Sequence, residues 1–302
     1  MLIMEKENKL IVKYGQAVEY LPPRIRGAAM KLSEKEKSLA EEFRLRTGRK
    51  PTVVISGKER ELEFNSEIRH EELASVLELA TRSSVHSAAD SIKNGFVTVY
   101  GGHRIGLCGT AVFGSGGTYI RDLSSVSVRI AKEMHGCSDE IYNGIFLNGR
   151  FKNTIIVSPP GHGKTTLLRD LVRHISDEGR RISLVDERGE ISAKHRGIPQ
   201  FDIGAHTDVL DGMEKADAAI LMLKNLSPDI IAMDELTADK DAQAIEKIAN
   251  CGVGILATAH GEGVESVFAK PLYRRLYDLG IFETAISLYR VGEKFTYKLS
   301  EL

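Results

Sequence analysis

The sequence predicts an α/β protein in two parts: a mainly parallel sheet flanked by helices over residues 136–302, preceded by a smaller α+β domain over residues 1–135. Three observations carry this prediction. A β-branched run, a loop of small residues and prolines, and a segment of helical periodicity follow one another between Lys152 and Ile175. Two later apolar runs end in acidic residues, as strands of a parallel sheet do where they line a ligand crevice. In the first part, by contrast, β-rich runs are joined by glycine turns.

The central stretch reads as strand, loop, helix. Thr154 to Val157 is the strand, and Leu167, Leu168, Leu171, Val172 and Ile175 fall on one face of the helix that follows. Between them lies Ser-Pro-Pro-Gly-His-Gly-Lys-Thr, a P-loop pattern with serine in place of its first glycine. Such a loop suits a triphosphate, because its N–H groups point inward, the helix N-terminus adds partial positive charge, and a lysine reaches the β- and γ-phosphates. Ser158, Pro159, Pro160, Gly161, His162, Gly163, Lys164, Thr165 and Thr166 are therefore the candidate ATP-binding residues, with Thr165 holding Mg²⁺. His162 reads as a loop-shaping or solvent-facing residue without a catalytic part. Serine cannot enter glycine-only backbone regions, so either Ser158 keeps φ negative or the loop opens differently.

Composition bounds the function class. With 302 residues, 42% hydrophobic and 27% charged, the chain has room for two domains and the make-up of a globular protein. A net charge of −1 provides no global attraction to nucleic acid or anionic lipid. Cys108, Cys137 and Cys251 are odd in number and far apart, which fits a reducing compartment better than a disulfide framework or a metal site. Charges at Glu5, Lys6, Glu7 and Lys9 interrupt the first ten residues, so no signal peptide is expected, and no apolar run is long enough to span a bilayer. Any membrane role is expected to be peripheral.

In chain order, residues 1–31 carry little pattern beyond a turn at Pro22-Pro23. Ser33 to Arg44 reads as a short charged helix with Leu39, Ala40 and Phe43 inward, although Glu42 to Arg46 alternates like a strand. Pro51 to Ser56, a turn at Gly57-Lys58 and Glu61 to Phe64 form a predicted hairpin. A helix follows from His70 to Ile92, ended by Gly95. From Phe96 to Ile130 come strands turned at Gly114 to Gly117, with Val126, Val128 and Ile130 on one face and Ser125, Ser127 and Arg129 on the other. Arg104, Arg121 and Arg129 are thus held on a stiff sheet, facing out of its core. They are either solvent-exposed or arginine fingers for a nucleotide bound by a neighbouring subunit. Lys132 to Arg150 links the domains, with Asn148-Gly149 as a turn.

The remaining candidates sit at strand ends. Asp186, Glu187 and Glu190 follow the strand that begins near Arg181 and could position Mg²⁺ or a water; Asp186 is the metal candidate and the two glutamates are the catalytic ones. The run Ser227 to Met233 ends in Asp234, a Mg²⁺ candidate, and Glu235, which can polarise the attacking water. Val253 to Gly261 places Thr258 and His260 at a further strand end, where the histidine can reach a γ-phosphate. Beyond it come a helix, a second helix opened by Pro271 with Leu272, Leu276 and Leu279 as core, and a closing hairpin turned at Gly292-Glu293.

Taken together, Gly-Gly-His-Arg-Ile-Gly-Leu-Cys-Gly (101–109), Ile-Arg-Asp-Leu-Ser-Ser (120–125), the phosphate loop with Thr-Thr-Leu-Leu-Arg-Asp-Leu (165–171), Val-Asp-Glu-Arg (185–188), Gly-Ile-Pro-Gln (197–200), Thr-Asp-Val-Leu-Asp-Gly (207–212) and Ala-His-Gly (259–261) resemble the stage III sporulation protein AA family. That family is similar to type II and type IV secretion ATPases. The resemblance implies a RecA-like P-loop NTPase domain and a Mg²⁺-dependent ATPase, assembled as a hexameric ring. It implies a place in the mother-cell cytoplasm, at the membrane base of the channel to the forespore, with membrane-embedded channel components as partners. It also implies an acidic box at Asp186, Glu187 and Glu190, a histidine box at His260, and catalytic arginines among Arg104, Arg121 and Arg129. Besides Ser158, Leu236-Thr237-Ala238 departs from the family's usual turn after Asp234-Glu235. Two other readings share the P-loop core: a nucleic-acid-dependent ATPase of helicase or loader type, and a non-hydrolysing scaffold gated by nucleotide.

Overall fold

The computed structural model describes residues 2–81, 95–114, 117–291 and 294–302, which fall into two compact units: 1–132 with 193–200, and 133–192 with 201–302. In the first unit, helices α1 (Leu2–Val18), α2 (Pro23–Met30) and α3 (Glu34–Leu39) precede strands β1 (Ala40–Arg46), β2 (Thr52–Ile55) and β3 (Lys58–Glu61). Then come α4 (His70–Thr81), β4 (Phe96–Thr98), β5 (Arg104–Gly114) and β6 (Gly117–Arg129). The strands form one antiparallel sheet in the order β3-β2-β1-β6-β5-β4. Val126, Val128 and Ile130 are buried and alternate with exposed or half-buried neighbours, as period-two patterning requires. They join Phe43, Leu45 and Ile105 of the sheet and Tyr14, Val18 and Ile25 of the helices in a single core.

Four local expectations need correction. Residues 2–30, read as little more than a turn, form two helices; Pro22 and Pro23 stand at the N-cap and first turn of α2, where a missing N–H costs nothing. The helix from Ser33 closes early: Ser33 and Glu36 cap it reciprocally, but the backbone is extended from Ala40 because Phe43 and Leu45 must point into the core at strand spacing. Leu39 is consequently exposed rather than inward. The hairpin also returns earlier than expected, since Ser56 (φ +49°) and Gly57 (φ +74°) make a two-residue left-handed turn that pairs Ile55 with Lys58. The predicted extension of α4 through Ile92, and the turn centres at 115–116 and 292–293, lie outside the described residues.

The second unit contains α5 (Asp139–Tyr142), the small hairpin β7 (Phe146–Leu147) and β8 (Arg150–Phe151), then β9 (Thr154–Ser158), α6 (Lys164–Asp177), β10 (Ile182–Asp186) and β11 (Thr207–Asp211). The stretch read as a link is therefore structured, and Asn148 and Gly149, both at positive φ, turn its hairpin. There follow α7 (Lys215–Leu226), β12 (Ile230–Met233), α8 (Asp239–Asn250), β13 (Gly254–His260), α9 (Val264–Phe268), α10 (Pro271–Asp278), β14 (Thr284–Val291) and β15 (Lys294–Glu301). The sheet order is β11-β10-β12-β13-β9-β14-β15, parallel except for the last strand. Helices cover both faces, so central strands are apolar without alternation: Ile155 and Val157 pack towards α8, α9 and α10, while Ile156 packs towards α6. Leu276 is fully buried and Leu272 packs partly on the core, but Leu279 is 57% exposed, because α10 ends at Asp278 and the chain turns away. Among the described residues no helix is long and apolar enough to cross a membrane.

Candidate functional site

The candidate site lies within the second unit, at the carboxyl ends of β9, β13 and β12. Ser158 is the last residue of β9 and pairs with His260; it does not take positive φ, so the serine in place of glycine continues the strand without strain. The left-handed positions fall on Gly161 (φ +72°) and Gly163 (φ +86°), which curl the loop before α6 begins at Lys164. Pro159 and Pro160 carry the loop out of the strand, and His162 turns Nδ1 to the carbonyl of Pro160 at 2.8 Å, a loop-shaping contact. Lys164 is buried, and its Nζ donates to the carbonyls of Ser158 at 3.0 Å and Pro159 at 3.3 Å. Burial lowers its pKa, while the charges of Glu235 and Asp234 oppose that shift. Thr165 and Thr166 occupy the first turn of α6, half-buried.

Strand order brings the next groups beside this loop. Because β13 runs between β9 and β12, its end residue His260 stands between the phosphate loop and the Asp234-Glu235 pair. Thr258 Oγ1 donates to Asp234 Oδ1 at 2.9 Å, and His260 Nδ1 meets Glu235 Oε2 at 3.0 Å. The turn Leu236-Thr237-Ala238 is held firmly. Tyr273 donates to the carbonyl of Leu236 at 2.8 Å, and the N–H groups of Thr237 and Ala238 donate to Asp241 Oδ2 at 2.9 and 3.0 Å.

Asp186 is placed otherwise than a metal ligand would be. Its Oδ1 accepts from the N–H groups of Glu190 and Ile191 at 2.9 and 3.1 Å, and its Oδ2 from the N–H and hydroxyl of Ser192 at 2.8 and 2.7 Å. Both buried oxygens are thus turned into their own loop. β10 is also three strands removed from β9, roughly 14 Å at the usual strand spacing. The metal assignment to Asp186 is accordingly corrected: this carboxylate shapes the turn that presents Glu187 and Glu190. Glu187 pairs with Lys215 at 2.9 Å, at the start of α7.

The three arginines lie in the first unit and do not form one row. Arg104 and Arg129 are directly opposite each other on β5 and β6, and Arg104 stacks on Phe96 with 3.5 Å from Cζ to the ring centre. Arg121 lies beyond a break in register between Cys108 and Thr110 and pairs with Asp122 at 2.9 Å.

Three residues outside the sequence-derived set support the site. Arg169 of α6, though charged, is buried; its Nε and Nη2 donate to the carbonyls of Ile191 and Glu190 at 2.5 and 2.8 Å, and it stacks on Phe201. It ties the acidic turn to the phosphate-loop helix. Its signal in the sequence is a charge set among Leu167, Leu168, Leu171 and Val172, on the face that helical spacing buries. Asp170, beside it, accepts from the N–H groups of Gly136 and Ser138 and pins the entry to the unit. Lys270, the N-cap of α10, donates to the carbonyl of His260 at 2.6 Å and adds positive charge near Lys164. No spacing rule marks it, because its partner is a backbone carbonyl ten residues away on another element.

The donor set fits Mg²⁺ of the kind that accompanies a nucleotide. Among the described residues no cluster of three or more His, Cys, Asp or Glu side chains could hold a metal alone. Mg²⁺ bound to nucleotide needs only one or two protein oxygens beside phosphates and waters, and Thr165 and Asp234 offer a hydroxyl and a carboxylate.

A sequence profile described as sporulation stage III, protein AA, matches residues 13–297. The chain is similar to stage III sporulation protein AA of Bacillus subtilis (strain 168), at 32% identity over 283 residues that cover 91% of each chain. In structure it is similar to the ATPase DotB of Legionella pneumophila, with TM-score 0.58 and 18% identity, covering 92% of this chain and 80% of that one. It is also similar to the pilus retraction motor PilT with bound ADP, with TM-score 0.59 and 17% identity, covering 89% and 81% respectively. At these identities the structural likeness carries the fold: a RecA-like P-loop domain with an N-terminal α+β domain.

Proposed function

The chain belongs to the stage III sporulation protein AA family, and from that premise and the geometry of the strand ends we propose that it is an ATP-hydrolysing motor or assembly ATPase. One observation supports this above the rest. The phosphate-loop lysine, the Asp234-Glu235 pair and His260 share one electrostatic neighbourhood, with Glu235 and His260 3.0 Å apart. Lys164 and the N–H groups from Gly161 to Thr166 bind the triphosphate, whose negative charge favours the ammonium form of a lysine that burial alone would disfavour. Thr165 and Asp234 would hold Mg²⁺, which would supply positive charge to offset that of the triphosphate. Glu235 accepts a proton from the attacking water, and His260 fixes that carboxylate through the 3.0 Å contact. Glu187 and Glu190 stand on the turn shaped by Asp186 as the acidic rim of the site.

Arg104, Arg121 and Arg129 complete the reading as charge donors to the nucleotide of a neighbouring protomer in a hexameric ring. On the family's likeness to secretion ATPases, the ring works in the mother-cell cytoplasm on membrane-embedded components of the channel to the forespore. ATP hydrolysis and light-scattering mass, each with and without Mg²⁺, test the proposal. Wild type should hydrolyse ATP and gain mass on adding MgATP, Lys164→Ala should lose both, and Glu235→Gln should keep assembly with turnover down about a hundredfold. A chain that stays monomeric and inert towards ATP would refute it.

A further inference from the structure

We infer that Phe295 is the platform on which the nucleobase stacks, an inference that rests on the phosphate-loop reading above and extends it to the rest of the nucleotide. β14 lies parallel beside β9, with Ser287 level with Val157. β14 runs on to Val291 while β9 ends at Ser158, so the hairpin of β14 and β15 continues past the point where the phosphate loop begins. Leu288 pairs with Tyr297, and Arg290 with Phe295. Directly paired residues and those two apart share a sheet face, so Leu288, Phe295 and Tyr297 lie on one side. It is the side of α6, because Tyr297 and Leu299 pack on the cluster that α6 builds with Leu167, Leu168 and Leu171.

This placement brings the ring of Phe295 against the last residue of the loop. A Cβ built at Gly163 would lie 3.6 Å from Phe295 Cε1 and Cζ and 3.9 Å from Leu288 Cδ2, ordinary van der Waals distances. Yet Phe295 remains 36% exposed, and among the described residues no ring stacks on it. A large apolar ring left partly in water beside a phosphate loop offers exposed surface on the side from which the sugar and base of a bound nucleotide would extend. Stacking on an aromatic needs no hydrogen-bond code and suits any flat base, which identifies the ligand class as a nucleobase tethered to phosphates. Leu288, buried beneath it, backs the same surface with an aliphatic wall.

The chain contains no tryptophan, so Phe295→Trp introduces a single indole reporter at this position. Binding of ATP and of inorganic tripolyphosphate to the full chain, measured side by side, separates base from phosphate. For Phe295→Ala the expected result is an ATP affinity roughly tenfold weaker with tripolyphosphate binding unchanged, and for Phe295→Trp an indole quench with ATP but not with tripolyphosphate. Equal affinity of Phe295→Ala and wild type for ATP would overturn the inference, as would an equal loss of both ligands, or an indole that responds alike to both. Failure of wild type to bind either ligand would instead overturn the phosphate-loop reading, and this inference with it.

Discussion

In the parallel sheet of the second unit, neighbouring strands end at the same edge, so residues placed last on β9, β13 and β12 meet one another although a hundred positions separate them. In the antiparallel sheet of the first unit, neighbouring strands end at opposite edges, and charged residues meet only where the register sets them opposite. Arg104 and Arg129 are such a pair, whereas the register break leaves Arg121 apart, tied to Asp122. One architecture concentrates chemistry at an edge; the other distributes charge over a face. The first suits a site completed within one unit, and the second suits a surface presented to something else.

The largest effect is expected from separating the two architectures by mutation. Arg104→Ala with Arg129→Ala should lower ATP turnover about a thousandfold, in the range of charge-stabilising arginines, while nucleotide affinity holds. Mixed with Glu235→Gln chains, which keep assembly, this double variant should regain activity in a steady-state ATPase assay, since each supplies what the other lacks. No recovery on mixing would confine the catalytic charges to the second unit and break the comparison.

A smaller effect sharpens it from the other side. Asp186→Ala strips acceptors from the N–H groups of Glu190, Ile191 and Ser192, the latter two in buried surroundings. A loss of about 3 kcal/mol in urea unfolding is expected, at roughly 1–3 kcal/mol per buried donor left without a partner. Were Asp186 a metal ligand instead, Asp186→Ala would abolish Mg²⁺-dependent turnover and leave the unfolding midpoint in place.

The smallest effect belongs to the first unit. His103 is fully buried and accepts the N–H of Ala131 at Nδ1; burial, aided by Lys13, holds its pKa down at about 3. Between the ordinary histidine value near 6.5 and about 3, the unfolded chain binds a proton that the folded one does not. Stability is therefore present above that window and falls on acidification through it, by up to about 1.4 kcal/mol per pH unit. Urea midpoints measured between pH 7 and 5 should fall, and a pH-independent midpoint for the first unit would show that His103 is not what makes it acid-sensitive.

Much of the second unit was legible in the sequence because its signals are local. A β-branched run before Gly-His-Gly-Lys-Thr, and apolar strands ending in Asp234-Glu235 and His260, need only adjacency along the chain to be recognised. The first unit was less so: α1 and α2 carry few signals of their own and are helical because Tyr14, Val18 and Ile25 find the sheet's apolar face. The segment 193–200 shows the same limit. It follows the acidic turn in sequence yet belongs to the first unit, where Gln200 Oε1 accepts the N–H of Gly101 and His195 meets the carbonyl of Thr98.

By itself the sequence determined the strand-loop-helix order around Lys164, the apolar runs that end in acids, the alternation that makes β6 one-sided, and the family. Only the tertiary structure decided what each carboxylate touches. Asp186 and Asp234 stand alike at the ends of apolar strands, but one is enclosed by the N–H groups of its own turn while the other faces the phosphate loop across β13. The physical reason is that residue type and spacing fix which groups are available, whereas a charge's role depends on which donors lie within about 3 Å of it. Those donors are supplied by strand order and loop path, both of which are set by contacts far apart in the chain.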